Sequence, residues 1–177
     1  LDGAIRDVRT RDEAHLLMSS RRAGLPVPLV YDVDRAGATL LLEPIEGQAL
    51  LEQLAADEPA QRLRRLATLG QIVGQMHDAG ITHGDLTTSN VLVPAPAREE
   101  LVLIDFGLGA LSVDDETRGV DLHLVEEALH ATHAEGDALF AAFLSAYQAT
   151  SPWAPGAGSS EGRRGGKGWR LSGASSP

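Results

Sequence analysis

Cysteine is absent from all 177 residues, which excludes a disulfide framework, a thiolate metal site and a cysteine nucleophile, and makes a reducing, cytoplasmic setting the natural one. Long apolar runs are missing as well. Nothing approaches the roughly 18 residues that span a bilayer, and Leu1 to Thr10 mixes Asp and Arg where a signal peptide would be apolar. A soluble protein with no membrane partner is expected. Lysine is almost absent, Lys167 being the only one. The formal net charge of −10 argues against a protein that simply coats nucleic acid, because phosphate binding is driven by clustered Lys and Arg. That charge is unevenly spread. Residues 151–177 carry Arg163, Arg164, Lys167 and Arg170 against Glu161, so the preceding body holds about −13. The same tail is rich in Gly, Ser and Pro and lacks apolar periodicity, so it is expected to be disordered when alone, with the folded part ending near Thr150.

What is present suffices for one folded unit, since a hydrophobic share of 43% can bury a core. Thr10 followed by Glu13 at the third helical position reads as a capping box that opens a helix, which Gly24, Pro26 and Pro28 stop. Val27 to Val33 and Thr39 to Leu42 read as two strands joined by a turn around Asp34, Ala36 and Gly37. A longer helix is expected from Pro59 to Ala79, with Leu63, Leu66, Leu69 or Gly70, Val73 and Met76 facing the core. Arg62, Arg64, Arg65 and Gln71 form its polar face, and Gly80 ends it. Short strands at Val91 to Val93 and Leu101 to Ile104 follow, then helices over roughly Asp121 to Thr132 and Gly136 to Tyr147. No internal repeat is visible.

The residues that carry chemistry lie between these elements. Phosphoryl transfer needs little covalent work from a protein; it needs a carboxylate near the attacking hydroxyl and oxygen ligands that hold magnesium against the phosphates. A polar loop, Ile81-Thr82-His83-Gly84-Asp85-Leu86-Thr87-Thr88-Ser89-Asn90, precedes the first short strand, and Asp105-Phe106-Gly107 follows the second. Protein kinases place an Asn five residues after the catalytic-loop Asp and a second Asp in an Asp-Phe-Gly turn after the next strand. Asp85, Asn90 and Asp105 have that order and spacing. Taken singly, a loop Asp or Asn often only bonds nearby backbone, and Asp-Phe-Gly is a common turn tripeptide; the conjunction points to kinase-type chemistry. His83 reads as a packed histidine bracing the loop, because Asp85 already stands where the base belongs.

The stretch His83 to Asn90, the run Asp105-Phe106-Gly107-Leu108-Gly109 and the segment Val120-Asp121-Leu122-His123-Leu124-Val125-Glu126 closely resemble the kinase subunit of the KEOPS complex, a family of small atypical serine/threonine kinases. Leu1-Asp2, Arg9-Thr10, Glu13-Ala14, Val27-Pro28, Val30 to Asp34 and Ile45-Glu46-Gly47 extend the resemblance over about residues 1–148. Its most specific element is Asp85-Leu86-Thr87-Thr88-Ser89-Asn90. The resemblance implies an α+β, two-lobed, protein-kinase-like fold: a partial N-lobe over 1–42, a hinge over 43–47, a mainly helical C-lobe over 48–150 and the basic tail over 151–177. It makes Asp85 the catalytic carboxylate and Asn90 and Asp105 the ligands of Mg²⁺ bound with ATP. Glu13 would pair with the lysine that holds the phosphates, the alternative being that it only caps Thr10. Adenine would be read by the carbonyl of Glu43 and the amide of Ile45, since Pro44 has no amide hydrogen. Asp121 would anchor the catalytic-loop backbone, the alternative being an ordinary helix N-cap.

The resemblance further implies a role in forming threonylcarbamoyl-adenosine in transfer RNA. The partners would be the other KEOPS subunits, above all the threonylcarbamoyl-transferase subunit, with transfer RNA met by the basic tail. There are departures. No Gly-rich loop and no lysine precede Glu13, and Leu1 is not Met, so the sequence is expected to be truncated at its N-terminus and to turn ATP over poorly by itself. Gly84 replaces the usual Arg, and the stretch from Gly107 to Asp121 is too short for a full activation loop, so phosphorylation there is not expected to be the switch. Rival readings are a RIO-type or small-molecule phosphotransferase and a catalytically impaired kinase-fold scaffold.

Overall fold

In the computed structural model, which describes residues 2–151 apart from 35, 97–99 and 112–113, and side chains from Val8 onward, helix α1 (Asp2–Arg22) comes first. It begins well before Thr10. Thr10 is therefore an interior residue and the expected capping box with Glu13 does not exist; the preceding turns continue the helix in spite of Gly3. Gly24, at φ 80°, ends the descent as expected.

The two strands of the hairpin are β1 (Val30–Asp34) and β2 (Thr39–Leu42), antiparallel, with Val30 opposite Leu42 and Asp34 opposite Thr39. Residues 27–29 lie outside β1, because Pro26 and Pro28 have no amide to give a ladder. Val27 is instead buried, and its carbonyl accepts a hydrogen bond from Arg21. The Asp34 carboxylate accepts the amides of Ala36 and Gly37 at 3.0 and 3.1 Å, which builds the expected turn. Tyr31 and Leu41 stand out from this small sheet, 57% and 59% exposed.

Three elements then follow: β3 (Gly47–Ala49), α2 (Leu50–Ala56) and α3 (Pro59–Asp78). Helix α3 keeps its expected bounds to within a residue, with Pro59 in its first turn. Arg65, expected on the polar face, is buried against Asp57, whose carboxylate also takes a hydrogen bond from Gln53 of α2 at 2.7 Å. Leu63, expected inside, is 40% exposed. One ion pair turned the helix surface inward where a leucine was expected, because a buried carboxylate must be paired.

Strand β4 (Ile81–Thr82) leads to the loop of Asp85 and a 3₁₀ turn (Thr88–Asn90). Then come β5 (Val91–Pro94), β6 (Val102–Leu103), β7 (Ala110–Leu111), α4 (Asp115–Thr132) and α5 (Gly136–Thr150). Strands β3, β5 and β6 form one sheet in that order, and β4 pairs with β7. Helix α4 starts six residues before Asp121, because the Asp114 carboxylate caps it by accepting the Thr117 amide at 2.8 Å. Asp121 is thus mid-helix and not an N-cap. No described helix is long and apolar enough to cross a membrane. The basic tail lies outside the described residues.

Helices α3 and α5 make the most extensive contact between elements. Leu66, Leu69, Val73 and Met76 of α3 meet Phe140, Phe143 and Tyr147 of α5 in one core. The helices approach so closely at Gly70 that a Cβ there would lie 2.1 Å from the Phe143 carbonyl oxygen. On an open helix, Gly to Ala would gain up to about 1 kcal/mol. Gly70→Ala is instead expected to lose about 1–3 kcal/mol by forcing the helices apart. Urea unfolding checks the sign.

Candidate active site

The loop that leaves β4 is held from below by a single carboxylate. Asp121, fully buried in α4, accepts the amide of His83 at 2.7 Å, the amide of Gly84 at 2.8 Å and His77 Nε2–H at 3.1 Å. A buried carboxylate is tolerated only when such donors replace its water. Gly84 itself sits at φ 81°, and a Cβ on it would fall 2.0 Å from the Leu108 carbonyl oxygen, so no side chain fits where the loop passes residues 107–109. This is the physical reason that glycine follows His83 here.

His83 is a brace. Its ring is buried and packs on Phe106 with centroids 4.5 Å apart. Nε2–H donates to the Ile104 carbonyl at 2.9 Å and Nδ1 accepts the Asp85 amide at 3.3 Å, so both nitrogens are occupied in one neutral tautomer. Burial holds the imidazole below its ordinary pKa, although Asp121, Asp105 and Asp85 all pull it upward. His83 thus ties the Asp85 loop to the backbone just ahead of Asp105.

Asp85 and Asn90 meet across the turn between them. Asn90 Nδ2 donates to the Asp85 carbonyl at 2.8 Å and to Asp85 Oδ2 at 2.9 Å, while the Asn90 carbonyl accepts the Ile104 amide at 3.0 Å. With its amide nitrogen so engaged, Asn90 keeps Oδ1 as an oxygen donor, and Asp85 keeps Oδ1. Asp105 follows Ile104 at φ 62°, a left-handed backbone that Asp tolerates better than most residues and that turns its carboxylate to the surface. Phe106 behind it is fully buried.

Glu13, on α1, comes to the same place. A Cβ on Gly107 would lie 3.3 Å from Asp105 Oδ1 and 4.0 Å from Glu13 Oε2. Burial raises the Glu13 pKa above its ordinary value, and the Asp105 charge raises it further. Four of the residues singled out from the sequence thus fall in two pairs, Asp85 with Asn90 and Asp105 with Glu13, and hydrogen bonds of His83 and Asn90 to Ile104 join the backbones that carry them. Glu43 and Ile45 lie on the segment between β2 and β3, and no hydrogen bond among the described residues links them to the Asp85 loop. The Glu43 amide donates to the Leu29 carbonyl at 2.8 Å and its Oε2 accepts the Leu29 amide at 3.0 Å. Among the described residues, a cavity of about 100 Å³ lies beside Gly47, Gln53 and Val93 and another of about 280 Å³ beside Leu17, Arg21 and Leu29; neither of these is lined by Asp85, Asn90 or Asp105. Sequence reasoning missed His77 and Tyr147, whose only signal was a polar ring at a core-facing helical position.

The lipopolysaccharide kinase (Kdo/WaaP) family model matches residues 4–147. The chain belongs to that family. Within it, the similarity runs to KEOPS kinase subunits, as the sequence motifs implied. The mouse "EKC/KEOPS complex subunit Tp53rkb" is 41% identical over 150 residues, covering 81% of this chain and 62% of that protein. A "probable bifunctional tRNA threonylcarbamoyladenosine biosynthesis protein" of Methanosarcina mazei is 40% identical over 150 residues, covering 85% of this chain and 25% of that protein. The chain thus spans less than two thirds of each. A solved structure, WaaP in complex with acyl carrier protein, superposes with a TM-score of 0.61 at 20% identity, over 79% of this chain and 66% of the other. The Kdo/WaaP kinase chain accordingly has the expected kinase-like α+β fold.

A carboxyl whose pKa is higher in the folded state costs stability once the pH exceeds that folded value, and costs nothing below its unfolded value. Glu13→Gln is therefore expected to raise the thermal midpoint at pH 7, with the gain disappearing as the pH falls below the ordinary value of 4.5. A lower midpoint at pH 7 would mean that Glu13 has a stabilising partner instead.

Proposed function

We propose that the chain is the phosphotransfer part of an atypical serine/threonine protein kinase or ATPase that assists threonylcarbamoyl-adenosine formation in transfer RNA. The Asn90 side-chain amide, bonded to both the carbonyl and the carboxylate of Asp85, is the observation that carries this reading. It fixes a carboxylate and an amide oxygen on one short turn, within a chain whose family and fold are those of kinases. Asp85 orients the attacking hydroxyl or water and takes up its proton. Asn90 Oδ1 and Asp105 would hold the metal.

The donor set fits Mg²⁺. Among the described residues no three His, Asp or Glu side chains are grouped to hold a metal by themselves. Mg²⁺ suits such a site, since it keeps several waters and takes one or two protein oxygens with the rest from phosphates. When bound with ATP it neutralises charge on the transferring phosphoryl group. Glu13, half-buried beside Asp105, is suited to receive a cation that contacts the phosphates, which would relieve the repulsion between the two carboxylates. In this reading residues 1–42 are a partial N-lobe, 43–47 the hinge with the Glu43 carbonyl and Ile45 amide offered to adenine, 48–150 the C-lobe and 151–177 a tail for transfer RNA phosphates. The partners are KEOPS subunits, above all the threonylcarbamoyl-transferase subunit, and the setting is the cytoplasm. The names of the mouse and archaeal relatives support this assignment.

The test is Mg²⁺-dependent ATP turnover by the protein expressed from its complete open reading frame. Asp105→Ala is expected to abolish turnover by removing a metal ligand, and Asp85→Asn to lower it about 10²–10⁴-fold. Turnover that survives Asp105→Ala would place the activity at another site. A protein that binds KEOPS subunits but shows no turnover would favour the scaffold reading.

A further inference from the structure

Beneath the loop, the buried contacts of Asp121 continue away from the site into α5. The Tyr147 hydroxyl lies 3.0 Å from His77 Nδ1, and both rings are fully buried. Asp121 accepts at His77 Nε2, so the hydrogen is on Nε2 and Nδ1 is the acceptor for the Tyr147 hydroxyl. Ser151, the C-cap of α5, hydrogen-bonds the Tyr147 oxygen in turn. The donors run in one direction: Ser151 to Tyr147, Tyr147 to His77, His77 to Asp121. At Asp121 the chain meets the amides of His83 and Gly84.

We propose that Tyr147 is a positioning residue of the candidate site, its hydroxyl supporting the Nε2–H tautomer of His77 and thereby the placement of Asp121 under the Asp85 loop. Three features assign this task to the hydroxyl and not to the ring. The Tyr147 ring is already held by stacking on Phe143 at 6.3 Å and by an edge-on contact with His77 at 5.5 Å. The His77 backbone is independently fixed, since Arg118 donates to its carbonyl at 3.2 Å. Without the hydroxyl, His77 Nδ1 is a buried acceptor with no donor, and only Asp121 holds the hydrogen on Nε2. Were it on Nδ1, an acceptor nitrogen would face the Asp121 carboxylate inside the core, and Asp121 would have to shift from the two loop amides. The end of α5 is by this route coupled to the loop that carries Asp85 and Asn90.

This inference rests on the proposed phosphotransfer reading only for its effect on turnover. Tyr147→Phe keeps the ring and removes the hydroxyl. In ¹⁵N-labelled protein it is expected to move the His77 Nδ1 resonance toward that of an acceptor without a donor and to move the His83 and Gly84 amide resonances. Turnover should fall about fivefold, the equivalent of one ordinary hydrogen bond, with the KM for ATP unchanged. Ser151→Ala, which leaves the Tyr147 to His77 bond in place, should do the same to a smaller extent. An unmoved His77 Nδ1 resonance with unmoved loop amides in Tyr147→Phe overturns the proposal, and so does unchanged turnover. If the unsubstituted protein turns over no ATP, the phosphotransfer reading fails, while the nitrogen and amide shifts still decide the role of Tyr147.

Discussion

One carboxylate, Asp121, organises the centre of this molecule. Fully buried, it accepts three N–H groups from two segments, the end of α3 through His77 and the loop through His83 and Gly84. Hydrogen bonds to a charged group contribute about 1.5–3 kcal/mol each, whereas the same charge left unpaired in a core is strongly destabilising. The balance makes the arrangement all-or-none. Either the loop backbone presents its amides to α4, or α4 cannot bury that residue. The loop is thereby fixed from beneath, which leaves its upper surface, with Asp85 and Asn90, to face outward without having to stabilise itself.

The rest of the site follows from that fixed loop. His83, held by its amide, is forced to pack its ring on Phe106 and to reach the carbonyl of Ile104. Residue 104 in turn donates its amide to the Asn90 carbonyl, so the strand that carries Asp105 is tied twice to the loop that carries Asp85. The close passage of Gly84 by Leu108 explains why the stretch after Asp105 can be short: it is pinned against the loop by backbone contact and needs no charged side chain to hold it. The larger scaffold serves the same end, since Gly70 and Gly74 let α5 lie directly on α3 and bring Tyr147 within reach of His77.

The parts legible in the sequence were those whose cause is local. Asp85 to Asn90 spans one turn, so its spacing already dictated that the two side chains could meet, and α3 declared itself by apolar spacing between Pro59 and Gly80. The misreadings arise from what the local pattern does not show. Arg65 was assigned to a polar face because nothing nearby reveals Asp57 as its buried partner. The start of α4 was misplaced because the capping residue is Asp114, and Asp121 took on the appearance of a cap that it is not. Thr10 and Glu13 spelled a capping box, yet α1 runs through them, and the position of Glu13 beside Asp105 depends on how α1 packs. Strand β3 and helix α2 are too short to show a period. His77 and Tyr147 are 70 residues apart, and only the fold brings them together.

The claim on which this account turns is that Asn90 and Asp105 share one metal–nucleotide. It is tested most directly by adding Mn²⁺ and ATP to the ¹⁵N-labelled protein and recording which resonances the paramagnetic ion broadens. The account predicts loss of the Asn90 side-chain amide signal and of the Phe106 and Gly107 backbone amides, with the α5 amides retained. Broadening centred instead on the cavity beside Leu17, Arg21 and Leu29, with the Asn90 side chain unaffected, would contradict it.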